Sequence, residues 1–174
     1  MHTLDQLNHG ELKGVVRLQL SENLTRFPEA IFDLADSLEV LDLSNNNLSE
    51  LPADLPRLKK LRILFCSNNQ FTHLPDVLGQ CEALEMIGFK SNQISTVSSE
   101  SLPTQTRWLI LTDNKITSLP DDFGRLTRLQ KLALAGNRLS TLPDSIINCR
   151  HLELIRLSAN QLVTFPDALL ELPR

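Results

Sequence analysis

The sequence repeats itself, and that constrains its fold more than any other feature. Starting at Val15, Leu38, Leu61, Leu84, Thr106, Leu129 and Leu152, one pattern returns about every 23 residues, a spacing typical of stacked repeat units. The copy that starts at Leu84 is one position shorter than the others. The copy LEVLDLSNNNLSELP, Leu38 to Pro52, shows the pattern whole: leucine at the first, fourth and sixth places, asparagine at the ninth, leucine at the eleventh, then Leu-Pro. The ninth place is Asn23, Asn46, Asn69, Asn92, Asn114, Asn137 and Asn160, an asparagine in every copy. The proline pair returns as Phe27-Pro28, Leu51-Pro52, Leu74-Pro75, Leu119-Pro120, Leu142-Pro143 and Phe165-Pro166. A repeat this short cannot bury its apolar face alone, so the copies must stack and share one core.

Each position has a physical reading. The third to fifth places alternate with period 2 around inward leucines, which predicts a short strand in each copy, the strands stacked in parallel about 4.8 Å apart. After the strand the chain turns, and an asparagine amide, with two donors and an acceptor, can satisfy the buried peptides of that turn. Proline then fixes φ and opens a helical turn. The positive end of that turn suits the acids Glu29, Asp76, Asp121, Asp144 and Asp167. Apolar residues further on, such as Leu55, Leu78, Phe123 and Ile146, pack this outer segment on the core. The outer segment is wider than a strand, so the stack is expected to curve with its strands on the concave side.

Residues 1–14 lie outside the repeat, and 15–174 form the array. Leu4, Leu7 and Leu12 mark the apolar side of a short helix stopped at Gly10, a cap for the open end of the core. The first copy is one residue short between strand and Phe-Pro. The fourth carries Val97-Ser98 in place of Leu-Pro and moves the pair to Leu102-Pro103, which predicts a distorted outer loop at 98–105. The last copy is incomplete, ending at Leu172-Pro173-Arg174 without a polar cap, so the chain is expected to be a segment of a longer protein.

Composition narrows the function. A net charge of -4 argues against a nucleic-acid binder, which normally carries a basic balance. No apolar run is long enough to cross a membrane, and the first residues lack the basic start and apolar stretch of a secretory signal. Cys66, Cys81 and Cys149 have no metal-ligand spacing and fall at inward places of the repeat. They read as buried small hydrophobes in a reducing cytoplasm. The four histidines share no ligand spacing, and no P-loop, nucleophile elbow, GxGxxG or HExxH is present. Neither an enzyme activity nor a cofactor or metal is expected. The glycosylation patterns at Asn23 and Asn47 read as by-products of the repeat, Asn23 being expected to lie buried among the turn asparagines.

The variable slots are the outward strand places. The third places are Arg17, Val40, Ile63, Met86, Trp108, Lys131 and Leu154; the fifth are Gln19, Asp42, Phe65, Gly88, Ile110, Ala133 and Arg156. An unused solvent face is mostly polar, yet Ile63, Phe65, Met86, Trp108 and Ile110 are expected side by side on it. Arg17 and Asp42 flank them on one side, Lys131 and Arg156 on the other, with Lys90 at a seventh place nearby. An apolar, aromatic centre within a charged rim is the anatomy of a protein-binding hot spot.

The form L-x-x-L-x-L-x-x-N-x-L-x-x-L-P resembles the intracellular class of leucine-rich repeats, and the resemblance spans essentially the whole chain. It implies a right-handed, curved α/β solenoid with parallel strands on the concave face, short helical, 3-10 or extended segments on the convex face and an N-terminal helical cap. The stretches FPEAIFDLADSLEVLDLSNN, LRILFCSNNQFTHLPDVLGQC, LEMIGFKSN and RWLILTDNKI are similar to the N-terminal region of bacterial leucine-rich repeat proteins carrying a serine/threonine kinase-like domain downstream. None of that domain's motifs occurs here, so no catalytic residue carries over. The expected function is therefore non-catalytic recognition of a protein partner on the concave face. One alternative is the regulatory or substrate-targeting region of a kinase-like protein whose catalytic domain lies outside this chain; another is an effector or scaffold acting on host or signalling proteins.

Overall fold

The computed structural model describes residues 1–162 and 167–173, with Ala168 described by its backbone alone, so the Phe165-Pro166 pair and Arg174 lie outside the described residues. Seven strands, β1 Arg17–Gln19, β2 Val40–Asp42, β3 Ile63–Phe65, β4 Met86–Gly88, β5 Trp108–Ile110, β6 Lys131–Ala133 and β7 Leu154–Arg156, form one parallel sheet in chain order. The register follows the repeat: Leu18, Leu41, Leu64, Ile87, Leu109, Leu132 and Ile155 are successive partners. Their side chains point inward, and all but Ile155 are buried. The fold is thus a leucine-rich repeat solenoid, its strands lining the concave side.

On the convex side each copy contributes a short 3-10 helix, at Glu29–Leu34, Leu55–Arg57, Asp76–Gln80, Ser99–Ser101, Phe123–Arg125, Asp144–Asn148 and Asp167–Glu171. Pro28, Pro75 and Pro143 stand one residue before their helices in extended backbone. Their fixed φ sets the entry angle instead of forming the first helical residue. Glu29, Asp76, Asp144 and Asp167 sit in the first turn as the dipole argument requires, whereas Asp121 precedes its helix and Asp122 takes the capping place. The three cysteines are buried and unpaired. The leucine volume missing at Cys66 coincides with two phenylalanines, Phe71 and Phe89, whose buried rings meet edge to face with centroids 5.0 Å apart, a favoured aromatic geometry.

The asparagines tie each copy to the one before it. The Asn69 amide nitrogen donates to Cys66 O of its own copy and to Leu43 O of the preceding copy, while its oxygen accepts from Leu48 N at 2.9 Å. Asn46, Asn92, Asn114, Asn137 and Asn160 make the same set of bonds. Asn23 departs from the expectation. It is exposed, has φ of 55°, and takes the left-handed turn position that Asn45, Asn68, Ser91, Asp113, Gly136 and Ala159 occupy in later copies. By count from its strand Asn23 matches Asn46, but there is no preceding copy for its amide to bind. Burial therefore does not explain the glycosylation pattern at Asn23 as a silent by-product.

Helix α1, Leu4–Asn8, begins with a capping box, the reciprocal arrangement that satisfies two free N–H groups at a helix start. Thr3 Oγ1 accepts from Gln6 N at 3.1 Å, and Gln6 Oε1 accepts from Thr3 N at 2.9 Å. Leu7 and Leu12 enter the core, and Gly10, at φ of 73°, turns the chain after the helix, a conformation that glycine adopts without steric cost. His2 closes the free edge of β1: its N–H donates to Gln19 O at 3.0 Å, and Gln19 N donates to His2 Nδ1 at 3.2 Å. An edge strand left bare would offer those groups to another chain. This is a structural role that spacing arguments about histidine ligands do not reveal.

The irregular fourth copy folds inward. Ser101 takes the buried place held elsewhere by Leu78 or Phe123, and Leu102 and Pro103 close over it. The buried hydroxyls bond locally, Ser101 Oγ to Ser98 O at 2.7 Å and Thr106 Oγ1 to Pro103 O at 2.6 Å, so neither is left without a partner. Gly79 permits the close approach, since a Cβ there would overlap Glu100 O. Among the described residues, no helix is long and apolar enough to cross a membrane.

Candidate protein-binding surface

Because successive strand residues face opposite sides, the inward leucines leave the third and fifth places on the concave face. Strand pairing aligns Arg17, Val40, Ile63, Met86, Trp108, Lys131 and Leu154 in one row and Gln19, Asp42, Phe65, Gly88, Ile110, Ala133 and Arg156 in the other. Ile63, Phe65, Met86, Trp108 and Ile110 therefore adjoin on three neighbouring strands. All five are half-buried: they shield one another without being covered.

Two local packings shape this patch. The Phe65 ring lies over Gly88, where a Cβ would come within 2.7 Å of Phe65 Cδ1. Gly88 is consequently buried although it faces outward, and the phenyl ring spans two strands. Beside it, the Lys131 ammonium sits 4.0 Å from the Trp108 ring centroid, a cation–π contact at the edge of the apolar area.

Among the flanking residues, Arg17 and Arg156 are exposed and Asp42 is half-buried, its carboxylate accepting from Ser44 N at 3.0 Å. Lys90 is exposed beyond the end of β4, off the two rows, so it belongs to the rim and not to the strand face. Position spacing also held a signal that the reading of outward slots missed. The second places form a row of alternating charge, with Arg62 Nε 3.1 Å from Glu39 Oε1, Arg62 Nη1 3.9 Å and Arg107 Nη1 3.6 Å from Glu85 Oε2, and Arg107 Nη2 donating to Gln130 Oε1 at 3.1 Å. These partly exposed pairs add little stability singly, but they neutralise one rim of the face.

The convex side carries a second polar cluster. Ser99 Oγ donates to Asp122 Oδ2 at 2.6 Å, and Arg125 bonds both Asp122 and Ser99 O. The Ser99 hydroxyl and then the Arg125 charge hold the Asp122 carboxyl below its ordinary value, which keeps it ionised as a bridge between the fourth and fifth copies. Burial raises all three thiols, Cys81 and Cys149 to about 11 and Cys66 further, the nearby Asp42 charge adding to the effect at Cys66. Among the described residues no group of His, Cys, Asp or Glu is placed to hold a metal ion.

Comparison with known proteins agrees with the fold. The family model described as "Leucine rich repeat" matches residues 36–94 and 104–162, together more than half of the chain. The structure is similar to the Leptospira interrogans LRR protein LIC12759, with TM-score 0.72 and 30% identity over 93% of this chain and 47% of that one. It is similar to the plant peptide hormone receptor RGFR1, solved in complex with RGF2, with TM-score 0.74 and 27% identity over 95% of this chain and 28% of that one. The internalin inlF of Listeria monocytogenes, at TM-score 0.76 and 23% identity over 95% of this chain and 48% of that one, shares the fold. A stretch of 49 residues, 28% of this chain, is 39% identical to 3% of the probable serine/threonine-protein kinase qkgA of Dictyostelium discoideum. The chain thus spans about half or less of the length of each of these proteins. With seven registered strands, an asparagine ladder and a matching family model, this chain belongs to the leucine-rich repeat family.

Proposed function

We propose that this chain is a non-catalytic protein-recognition module that takes its partner on the concave face, over Ile63, Phe65, Met86, Trp108 and Ile110. One observation carries this reading. Five large apolar side chains, two of them aromatic, stand half-buried on neighbouring strands at places that the fold leaves free to be polar. The rim residues Arg17, Asp42, Lys90, Lys131 and Arg156 add charge around them, an arrangement suited to orienting a partner. The peptide hormone receptor RGFR1, which shares the fold, was solved with RGF2, and this supports a polypeptide as the class of ligand. A cytoplasmic setting fits three cysteines that are buried and unpaired.

The test compares proteins captured by the native chain, by Phe65→Ala/Trp108→Ala, and by Lys59→Ala/Lys60→Ala, a pair exposed in the turn before β3 and off the two outward rows. Specific partners are expected to be lost from the first variant and retained by the second. Equal capture by all three would overturn the concave assignment. The likeness to the Dictyostelium kinase favours a second reading, a regulatory or substrate-targeting region of a serine/threonine kinase-like protein. Reading the gene past codon 174 tests it: kinase motifs in frame support it, and an immediate stop codon ends it.

A further inference from the structure

The apolar patch is bounded differently at its two ends, and the difference indicates what kind of partner fits. Towards β6 and β7 the outward residues are Lys131, Ala133, Leu154 and Arg156, and none of β5, β6 and β7 presents an acid at an outward place. The arginines Arg57, Arg62, Arg107 and Arg125 each have a carboxylate partner, whereas among the described residues neither Lys131 nor Arg156 forms an ion pair. Lys131 instead rests over Trp108, and Arg156 is exposed. From the strand spacing and the rise per residue, one strand across and two residues along, their Cα atoms are about 8 Å apart, within reach of both long side chains for a shared carboxylate.

Between the two cations lies Ala133, flanked by Ile110 on β5 and Arg156 on β7. It is the smallest outward side chain on β5, β6 and β7. At the other small outward residue, Gly88, the Phe65 ring fills the space above the backbone. The charge of the whole chain has the same polarity. Acids outnumber bases ten to three in residues 1–56, and bases outnumber acids fourteen to eleven in residues 57–174.

We infer that the concave partner is an acidic peptide segment that lies across the strands, with a carboxylate between Lys131 and Arg156 and an adjoining apolar side chain on Trp108 and Ile110. This rests on the concave face being the recognition surface. The charge pair fixes orientation: the acidic end lies towards β7, because the outward place on the opposite side of the apolar patch carries Asp42.

The experiment is selection of random dodecapeptides displayed on phage against the full chain. The enriched peptides are then made synthetically, and their binding to native protein and variants is measured by fluorescence anisotropy. Enrichment of an acidic residue next to an aromatic or large aliphatic one is expected. The enriched peptides should bind Lys131→Glu/Arg156→Glu at least tenfold more weakly, with affinity that falls as salt rises. Arg156→Glu alone changes only an exposed side chain and should lose part of this affinity, which separates charge from misfolding. Peptides without acid enrichment, or peptides that bind the charge-reversed variants as well as native protein, would overturn the inference. If such peptides still fail on Phe65→Ala/Trp108→Ala, the concave reading stands without its acidic ligand. Failure to enrich any peptide counts against the inference, and peptides indifferent to both sets of changes count against both readings.

Discussion

Leu64 and its neighbours Ile63 and Phe65 are consecutive in one strand, yet they belong to two different surfaces. The inward surface is nearly uniform: leucine or isoleucine recurs at the centre of every strand, buried in all but β7, and from the second copy on an asparagine beside it bonds to the copy before. The concave surface is variable, running from Arg17 through a half-buried aromatic centre to Arg156. Replacement on the first surface creates a void or an orphaned polar group. Replacement on the second removes contacts that are already partly wet. The same backbone thus separates the shared core from the variable outward face at single-residue resolution.

The comparison is sharpest at the asparagines. Asn92→Ala deprives the buried Phe71 N–H of its acceptor and removes a donor from both Cys66 O and Phe89 O. It is expected to cost about 2–4 kcal/mol in chemical denaturation, the scale of an orphaned buried donor plus weakened acceptors. Gly124→Ala comes next, because a Cβ there would overlap Ser145 O. The two convex helices must then separate, at a cost of about 1–3 kcal/mol. Gly88→Ala meets only the flexible Phe65 ring and should cost less than Gly124→Ala in the same assay, while displacing the ring from the concave face. Equal costs at the two glycines would break the distinction between the surfaces.

The thiols report on the inward surface by a different route. Native protein at pH 8 should label with a thiol reagent no faster than it unfolds, because burial keeps Cys66, Cys81 and Cys149 protonated and covered. The sign of the pH effect follows. A thiol raised from 9.0 to about 11 in the folded chain ionises first in the unfolded chain. Stability is therefore intact below about pH 9 and declines as pH approaches 11. The smallest effect belongs to Asn23→Ala, an exposed residue outside the ladder. Its stability in the same denaturation assay is expected to fall by about 1 kcal/mol, the backbone cost of alanine at φ of 55° with no ladder bond lost.

Much of the fold was legible because a repeat leaves few solutions. One short period with leucines at fixed places sets the strand positions, the inward face and the pairing register, and residues 1–14, with Leu4, Leu7 and Leu12, read as a cap. Two features were not legible. Asn23 occupies the right place by count from its strand, but the amide bonds backward to a preceding copy, and the first copy has none. The outer loop of the fourth copy reads as distorted, yet Ser101 is drawn inside, because Gly79 lets the next segment approach and Ser98 O satisfies the hydroxyl.

For the candidate surface, alternation alone places Ile63, Phe65, Met86, Trp108 and Ile110 on one face, since successive strand residues point to opposite sides. Their degree of shielding, the Phe65 ring across Gly88 and the Lys131 ammonium over Trp108 depend on which rotamers neighbouring strands permit. The unpaired state of Lys131 and Arg156 among the described residues depends on where the surrounding carboxylates end up. The sequence by itself determined the solenoid, because periodic burial has one way to close a core. The tertiary structure decided which outward residues cover one another and which remain exposed, because that turns on contacts between copies that no single copy contains.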